Sequence, residues 1–150
     1  MTFGERERLS VSPDALFVYG TLLFPDILVA LIDRVPDHSP GQIAGWRAAA
    51  LPGVAYPGLI PGTATVSGRL LTGLTPPESR VIDAFENGGY DLTRLTLVDG
   101  RRGWAYTCAR DVEALPGDWS ADEFAANHLA VYVERCVRWR RRYETEEHTG

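Results

Sequence analysis

The chain is predicted to fold as one α+β domain built on a mixed, curved or barrel-like sheet. Its elements are expected to run strand, helix, several strands, helix, two strands, helix, and the central strands lack the intervening helices that parallel crossovers need. The 15 glycines and 10 prolines among 150 residues imply frequent turns. An apolar content of 45% supplies one core, and no internal repeat or low-complexity linker calls for a second domain.

The first strand is the apolar run Ala15 to Tyr19, which lacks helical spacing and ends at Gly20. Pro25 suits a first helical position, and Leu28, Leu31, Ile32 and Val35 repeat on one helical face that Pro36 closes. From Pro40 to Gly73 the apolar runs are brief and broken by Pro52-Gly53, Pro57-Gly58, Pro61-Gly62 and single glycines, which reads as strands and loops. Thr63 to Gly73 has the strongest β character there, with Gly68 marking a bulge or bend. Thr75, Pro76 and Glu78 make a capping box with proline in the first turn. The helix they open carries Val81, Ile82 and Phe85 on its apolar face, and Asn87-Gly88-Gly89 suit its C-cap. Two strands, Tyr90 to Val98 and Gly103 to Ala109, follow as a hairpin across Asp99 to Gly103. A second capping box, Ser120 to Glu123, opens an amphipathic helix with Leu129, Val133, Cys136, Val137 and Tyr143 on one face, ending near Tyr143. The domain is thus expected over residues 15–143, between a flexible segment 1–14 and a flexible tail 144–150.

Fifteen basic residues, all arginine, against twenty acidic ones give a formal net charge of -5. That balance argues against a nucleic-acid binder and favours a small-molecule partner. Arg135, Arg138, Arg140, Arg141 and Arg142 crowd the last helix and read as a solvated end that complements the helix dipole and pairs with Glu134 or Glu144. No apolar run reaches the roughly 18 residues of a membrane span. The charged start, Met1 to Pro13, lacks a signal-peptide core, so a cytoplasmic location without a membrane partner is expected. Cys108 and Cys136 lack metal-ligand spacing and read as buried reduced thiols. His38, His128 and His148 are scattered and accompany no nucleophile motif. Trp46, Trp104, Trp119 and Trp139 read as packing residues, with a pocket wall as the alternative for one of them.

Two segments carry chemistry. In Tyr19-Gly20-Thr21-Leu22 a strand ends at a glycine and turns toward a helix, leaving successive backbone N–H groups without ladder partners. Such groups can face a carboxylate, and Gly20 permits close approach. The alternative is an ordinary turn with Tyr19 in the core. In the second segment, Glu86 lies four residues after Ile82 on the buried helical face, in the last turn, where the helix dipole disfavours an anion. Both effects favour the protonated acid, as a proton shuttle needs. The alternative is a carboxylate turned to solvent. Asp83 is the competing acid, expected to face water or to pair with Arg80 or Arg94.

Taken together, Tyr19-Gly20-Thr21-Leu22 and Asp83-Ala84-Phe85-Glu86 resemble the γ-glutamylcyclotransferase-like family. Gly58 to Pro61, the Gly68 to Leu71 strand and Tyr90 extend the likeness from Leu16 to about Ala109. The last helix, with Trp119 and Phe124 to Tyr143, looks like the C-terminal extension of the plant avirulence-induced-type subgroup. The resemblance implies a small mixed β-barrel with flanking helices and a reaction that needs no cofactor. In it a γ-glutamyl α-amine attacks its own γ-carbonyl, closes the ring of 5-oxoproline and releases the attached amine. Glu86 is then the catalytic proton carrier, and the amides of Gly20, Thr21 and Leu22 hold the glutamyl carboxylate or the oxyanion. Tyr19 and Tyr90 complete the substrate site, Tyr90 by orienting Glu86 or closing the pocket. Family members often carry an arginine two or three positions after the tyrosine matching Tyr90; here those positions are Leu92 and Thr93, and Arg94 follows one residue further on, a slip that changes the strand face relative to Thr93. The leaving amine stays open at this stage: an amino acid, a crosslinked lysine, a glutathione-like peptide or a biosynthetic amine. A noncatalytic small-molecule-binding or interaction module on the same fold is the alternative function.

Overall fold

The computed structural model describes residues 15–86, 90–108 and 113–149. The segment 1–14, the expected C-cap Asn87-Gly88-Gly89 and Ala109 lie outside the described residues. Strands β1 (Leu16–Val18), β2 (Asp37–Ala50), β3 (Pro57–Thr72), β4 (Tyr90–Thr96) and β5 (Arg102–Cys108) form one sheet in the order β2-β3-β1-β5-β4. The β1/β5 pair is parallel and the other ladders are antiparallel. A 3-10 turn spans Thr21–Leu23, and the helices are α1 (Pro25–Ile32), α2 (Pro76–Glu86), α3 (Ala121–Asn127) and α4 (Leu129–Thr149).

Alternation along β1 divides the core in two, because successive strand residues point to opposite faces. Leu16 and Val18 pack with Ile27, Leu31, Val81, Ile82, Phe124 and Cys136 beneath the helices. Ala15, Phe17 and Tyr19 point to the other face, where Ile43, Leu59, Val66 and Leu97 fill the concavity of the curved sheet.

The sheet is not closed into a barrel, contrary to the sequence expectation. Closure requires a ladder between the two edge strands, and here β4 pairs along its length with β5 while β2 pairs with β3. The edges are joined past the end of β4, where Val98 N–H donates to Gln42 O at 2.9 Å. The Arg101 guanidinium ties the same end to Pro40 O at 2.6 Å and Ser39 Oγ at 2.7 Å.

The stretch expected to hold brief strands and loops instead forms two long strands of 14 and 16 residues. Its prolines sit where a missing N–H is tolerated: Pro40 on edge strand β2, Pro57 at the first residue of β3, and Pro61 at an irregularity opposite Trp46. Gly68 is not a bulge, since it pairs in regular register with Gly41; the extra residue is Gly45, at φ +85°, between Ala44 and Trp46. A Cβ at Gly68 would stand 2.2 Å from Val18 O, so that glycine serves a close approach between strands.

The first capping box forms in full, and of the second the N-cap bond is seen. Glu78 N–H donates to Thr75 Oγ1 at 3.3 Å and Thr75 N–H to Glu78 Oε1 at 2.9 Å, while Glu123 N–H donates to Ser120 Oγ at 3.2 Å. The Arg34 fork also grips Glu78, at 2.6 and 2.7 Å, and holds its carboxyl below the usual carboxylate range. Helix α1 stops earlier than its periodicity suggests: Asp33 turns left-handed at φ 66°, its N–H donates to Val29 O, and Val35 falls outside the helix, 37% exposed. The last helix is broken at His128, where φ is -132°, and then runs to Thr149, past the expected end near Tyr143. Among the described residues no helix is long and apolar enough to cross a membrane.

Candidate functional site

The parallel pairing of β1 with β5 brings the C-terminal ends of both strands to the same side of the sheet. There the chain leaves β1 through Tyr19 and Gly20 and enters the 3-10 turn. The carbonyls of Gly20 and Thr21 accept from Leu23 and Phe24, whereas the N–H groups that open such a turn have no partner within it. Gly20 is required by proximity: a Cβ there would stand 2.8 Å from Cγ of Pro57. Pro57 O in turn accepts from the Tyr90 hydroxyl at 2.7 Å, so one residue braces the loop on one side and Tyr90 on the other.

A cavity of about 460 Å³ opens here. Tyr19, Gly20, Thr21, Leu22, Glu86 and Tyr90, the residues singled out in the sequence, all line it. Tyr19 is buried, and its hydroxyl donates to Tyr106 O at 2.6 Å, so its ring faces the cavity while its oxygen is engaged in the fold. Glu86, the last residue of α2, is half-buried. Its charge is felt by the surrounding phenols: burial first, and then the Glu86 carboxylate, hold the Tyr19, Tyr90 and Tyr132 hydroxyls well above their ordinary pKa.

Asp83 does not face water, contrary to the first expectation for it. It is 4% exposed and accepts from the Tyr106 hydroxyl at 3.0 Å. The face of α2 that holds Ser79, Val81, Ile82 and Asp83 is pressed into the fold, so a residue read as mid-helix surface lies underneath. Arg94 instead lies over the Trp104 ring, 5.4 Å from its centroid, and does not line the cavity.

A further part of the wall comes from α4, for which the sequence expectation had only one unspecified tryptophan as an alternative. Tyr132, Arg135, Trp139 and Arg142 line the cavity. Their spacing of three, four and three is one helical stripe, which was available as a signal but mixes aromatic and cationic residues where the apolar stripe alone attracts notice. Tyr132 packs edge-on against Phe85 at 6.5 Å and lines the cavity together with Thr21, linking α4 to the end of α2. Trp139 is the tryptophan that walls the pocket, with its ring 5.1 Å from Phe85. Arg135 and Arg142 therefore do more than decorate a solvated helix end. Arg140, by contrast, donates to Leu31 O and pairs with Glu144 at 2.9 Å.

Cys108, expected to be buried, is half-buried and lines the cavity; burial raises its thiol pKa. Cys136 lies behind Tyr132 and is pushed up to about 12 by burial, with Arg135 opposing and Glu86 adding to the rise. Burial thus favours the protonated thiol at both cysteines. Among the described residues no group of three or more His, Cys, Asp or Glu side chains is placed to hold a metal ion. Among the described residues the cavity thus offers the Glu86 carboxylate, a turn of backbone N–H groups and the guanidinium groups of Arg135 and Arg142, walled by aromatic rings.

The open α+β sheet thus carries a cavity bordered by both Glu86 and the glycine turn after β1. The family model described as gamma-glutamyl cyclotransferase, AIG2-like, matches residues 16–121, and the chain belongs to that family. It is similar to AIG2-like protein C of Arabidopsis thaliana, 42% identical over 77 residues, which are 51% of this chain and 45% of that protein. It is also similar to AIG2-like protein D of the same plant, 27% identical over 133 residues, 83% of this chain and 88% of that protein. The chain therefore spans about half the length of the first relative and most of the second. A solution structure of an Arabidopsis thaliana protein superimposes with a TM-score of 0.62 at 26% identity, covering 84% of this chain and 91% of the other. A crystal structure of a Pyrococcus horikoshii protein shares the fold, with a TM-score of 0.57 at 15% identity over 76% and 96%.

Proposed function

We propose that the protein is a γ-glutamylcyclotransferase that converts a γ-glutamyl amine or peptide to 5-oxoproline and the free amine without a cofactor. The observation that supports this best is that Glu86 and the turn Gly20, Thr21 and Leu22 border one cavity of about 460 Å³, a size suited to enclosing a small molecule. The substrate carries its own nucleophile, so the site has only to move a proton, cradle an anion and hold a geometry.

In this reading Glu86 takes a proton from the α-ammonium of the substrate. The freed nitrogen attacks the γ-carbonyl carbon, and the new C–N bond closes the ring. The N–H groups of Gly20, Thr21 and Leu22 meet the charge that grows on the carbonyl oxygen, or the glutamyl α-carboxylate. The bond from that carbon to the leaving nitrogen then breaks as Glu86 returns the proton to the departing amine. The second proton of the ring nitrogen passes to that amine, which leaves as an ammonium ion beside the neutral ring amide of 5-oxoproline. Tyr19 and Tyr90 present ring faces to the glutamyl chain, since their hydroxyls are engaged by Tyr106 O and Pro57 O. The two free cysteines agree with a reducing compartment, and a cytoplasmic site of action is part of the same proposal.

The test is incubation with a panel of γ-glutamyl compounds while 5-oxoproline is measured, with Glu86→Gln alongside. Gln is nearly isosteric but accepts no proton, so kcat should fall by roughly 10²–10⁴ while substrate still binds. A fully active Gln variant removes Glu86 from the role. Binding without turnover by the unaltered protein favours the noncatalytic binding module.

A further inference from the structure

Among the described residues five tyrosines line the cavity, and three of them spend their hydroxyls inside the fold. Tyr19 donates to Tyr106 O at 2.6 Å, Tyr90 to Pro57 O at 2.7 Å and Tyr106 to Asp83 Oδ1 at 3.0 Å. Tyr56 and Tyr132 are left, and their surroundings differ. Tyr56 is half-buried beside Pro57 in the connection from β2 to β3, with its ring 6.2 Å from that of Tyr90. Tyr132 is 9% exposed, and its ring is held edge-on by Phe124 at 5.3 Å and by Phe85, the residue before Glu86, at 6.5 Å. A buried phenol ordinarily finds a hydrogen-bond partner, because leaving it without one costs free energy. The Tyr132 hydroxyl lies toward the Thr21 side chain, yet no hydrogen bond of ordinary geometry among the described residues engages it.

That hydroxyl stands between two parts of the site. Thr21 belongs to the turn that follows β1, and the Glu86 carboxylate is the next cause, after burial, that keeps the phenol protonated. A phenol in this setting donates a hydrogen bond without giving up its proton. Such a donor suits an oxygen on which charge grows during a reaction, since it is fixed in advance and acts where water is scarce. Tyr132 also lies beyond residues 16–121, the part of the chain that the family model matches, so its role is read from this cavity alone.

We propose that Tyr132 is a further catalytic residue, whose hydroxyl donates a hydrogen bond to the γ-carbonyl oxygen of the substrate as negative charge grows there, together with the N–H groups of the turn. The proposal rests on the cyclotransferase reading and goes beyond it by giving the oxyanion a side-chain donor from α4. The O–H bond of Tyr132 stays intact throughout; the protons travel by Glu86 and the two substrate nitrogens. Because every γ-glutamyl compound carries this carbonyl, the contribution of Tyr132 is the same whatever amine departs.

The experiment is Tyr132→Phe, which removes one oxygen and keeps the ring contacts with Phe85 and Phe124. Release of 5-oxoproline from a panel of γ-glutamyl compounds is compared for the unaltered protein, Tyr132→Phe and Tyr56→Phe, and the melting temperature of each is measured. Tyr132→Phe should lower kcat by roughly 10², by the same factor for each compound, with KM changed less than about twofold. Calorimetric affinity for the same compounds in the Glu86→Gln background should be equally indifferent to the hydroxyl. The melting temperature should hold or rise, since the fold loses no hydrogen bond and a buried polar group is gone. Unchanged kcat overturns the proposal, as does a raised KM at constant kcat, which would make the hydroxyl a holder of the bound substrate. A lowered melting temperature, or an equal loss of kcat in Tyr56→Phe, overturns it too, by tracing the effect to a disturbed cavity. No 5-oxoproline from the unaltered protein removes the cyclotransferase reading and the role of Tyr132 with it, whereas an active unaltered protein with an equally active Tyr132→Phe removes Tyr132 alone.

Discussion

Gly20 shows how one missing Cβ sets the chemistry of the site. Its φ is -123°, outside the left-handed region. What selects glycine here is the Pro57 ring, which a Cβ would approach to 2.8 Å. That ring cannot retreat freely, because its own carbonyl holds the Tyr90 hydroxyl. Gly20→Ala should therefore displace the turn relative to Glu86, and misplacement on the order of 1 Å costs about 10² in rate. The expected result is a loss of that size in 5-oxoproline release with the folded structure retained by circular dichroism. Unchanged turnover would mean that Pro57 does not position the turn. Asp83 teaches the complementary lesson: three residues from Glu86 on the same helix, it is the more deeply buried acid, yet its partner is a tyrosine hydroxyl inside the fold.

Among the elements, the β1–β3 ladder holds the turn in place, and its weak point is Gly68. A Cβ there would meet Val18 O at 2.2 Å and Cζ of Phe17 at 2.8 Å, a backbone atom and a core ring that cannot both move aside. Gly45 presents the opposite case, with open space around it but φ at +85°. Gly68→Ala should cost about 1–3 kcal/mol through crowding, and Gly45→Ala about 1–2 kcal/mol through left-handed strain alone. Urea denaturation separates the two, because only the first should also impair activity by shifting the start of the turn after β1. Equal activity in both variants would show that the ladder does not transmit its distortion to the site. Helix α4 contributes in another way, supplying Tyr132, Arg135, Trp139 and Arg142 from consecutive turns of one stripe.

At the level of the whole molecule, the site and the fold share their titrating groups. Burial, and then the Glu86 charge, raise the pKa of Tyr19, Tyr90 and Tyr132, so these phenols keep their protons where the unfolded chain releases them, above about pH 10. Their contribution to stability is complete below that pH and is lost as pH rises through it, because the unfolded state then binds fewer protons. Glu86→Gln removes the second cause of the shift. Phenolate absorbance in the folded variant should appear at lower pH than in the unaltered protein, and its stability should decline less steeply on the alkaline side. Superimposable titration curves would show that the carboxylate does not face these rings.

The caps at Thr75 and Ser120, the hairpin across Asp99 to Gly103, the turn after Tyr19 and the placement of Glu86 on the buried face of its helix were all legible in the sequence. Each depends on residues within one or two turns of one another, where spacing and backbone preference dominate. The open edge of the sheet, the burial of Asp83, the bulge at Gly45 and the presence of α4 in the cavity wall were decided by tertiary structure. Each depends on which distant segment arrives alongside: β5 beneath α2, β3 against β2, and α4 across the mouth formed by the turn and Glu86. Local periodicity states which face of an element is apolar, but the chemistry of a mixed face is settled only by what packs against it.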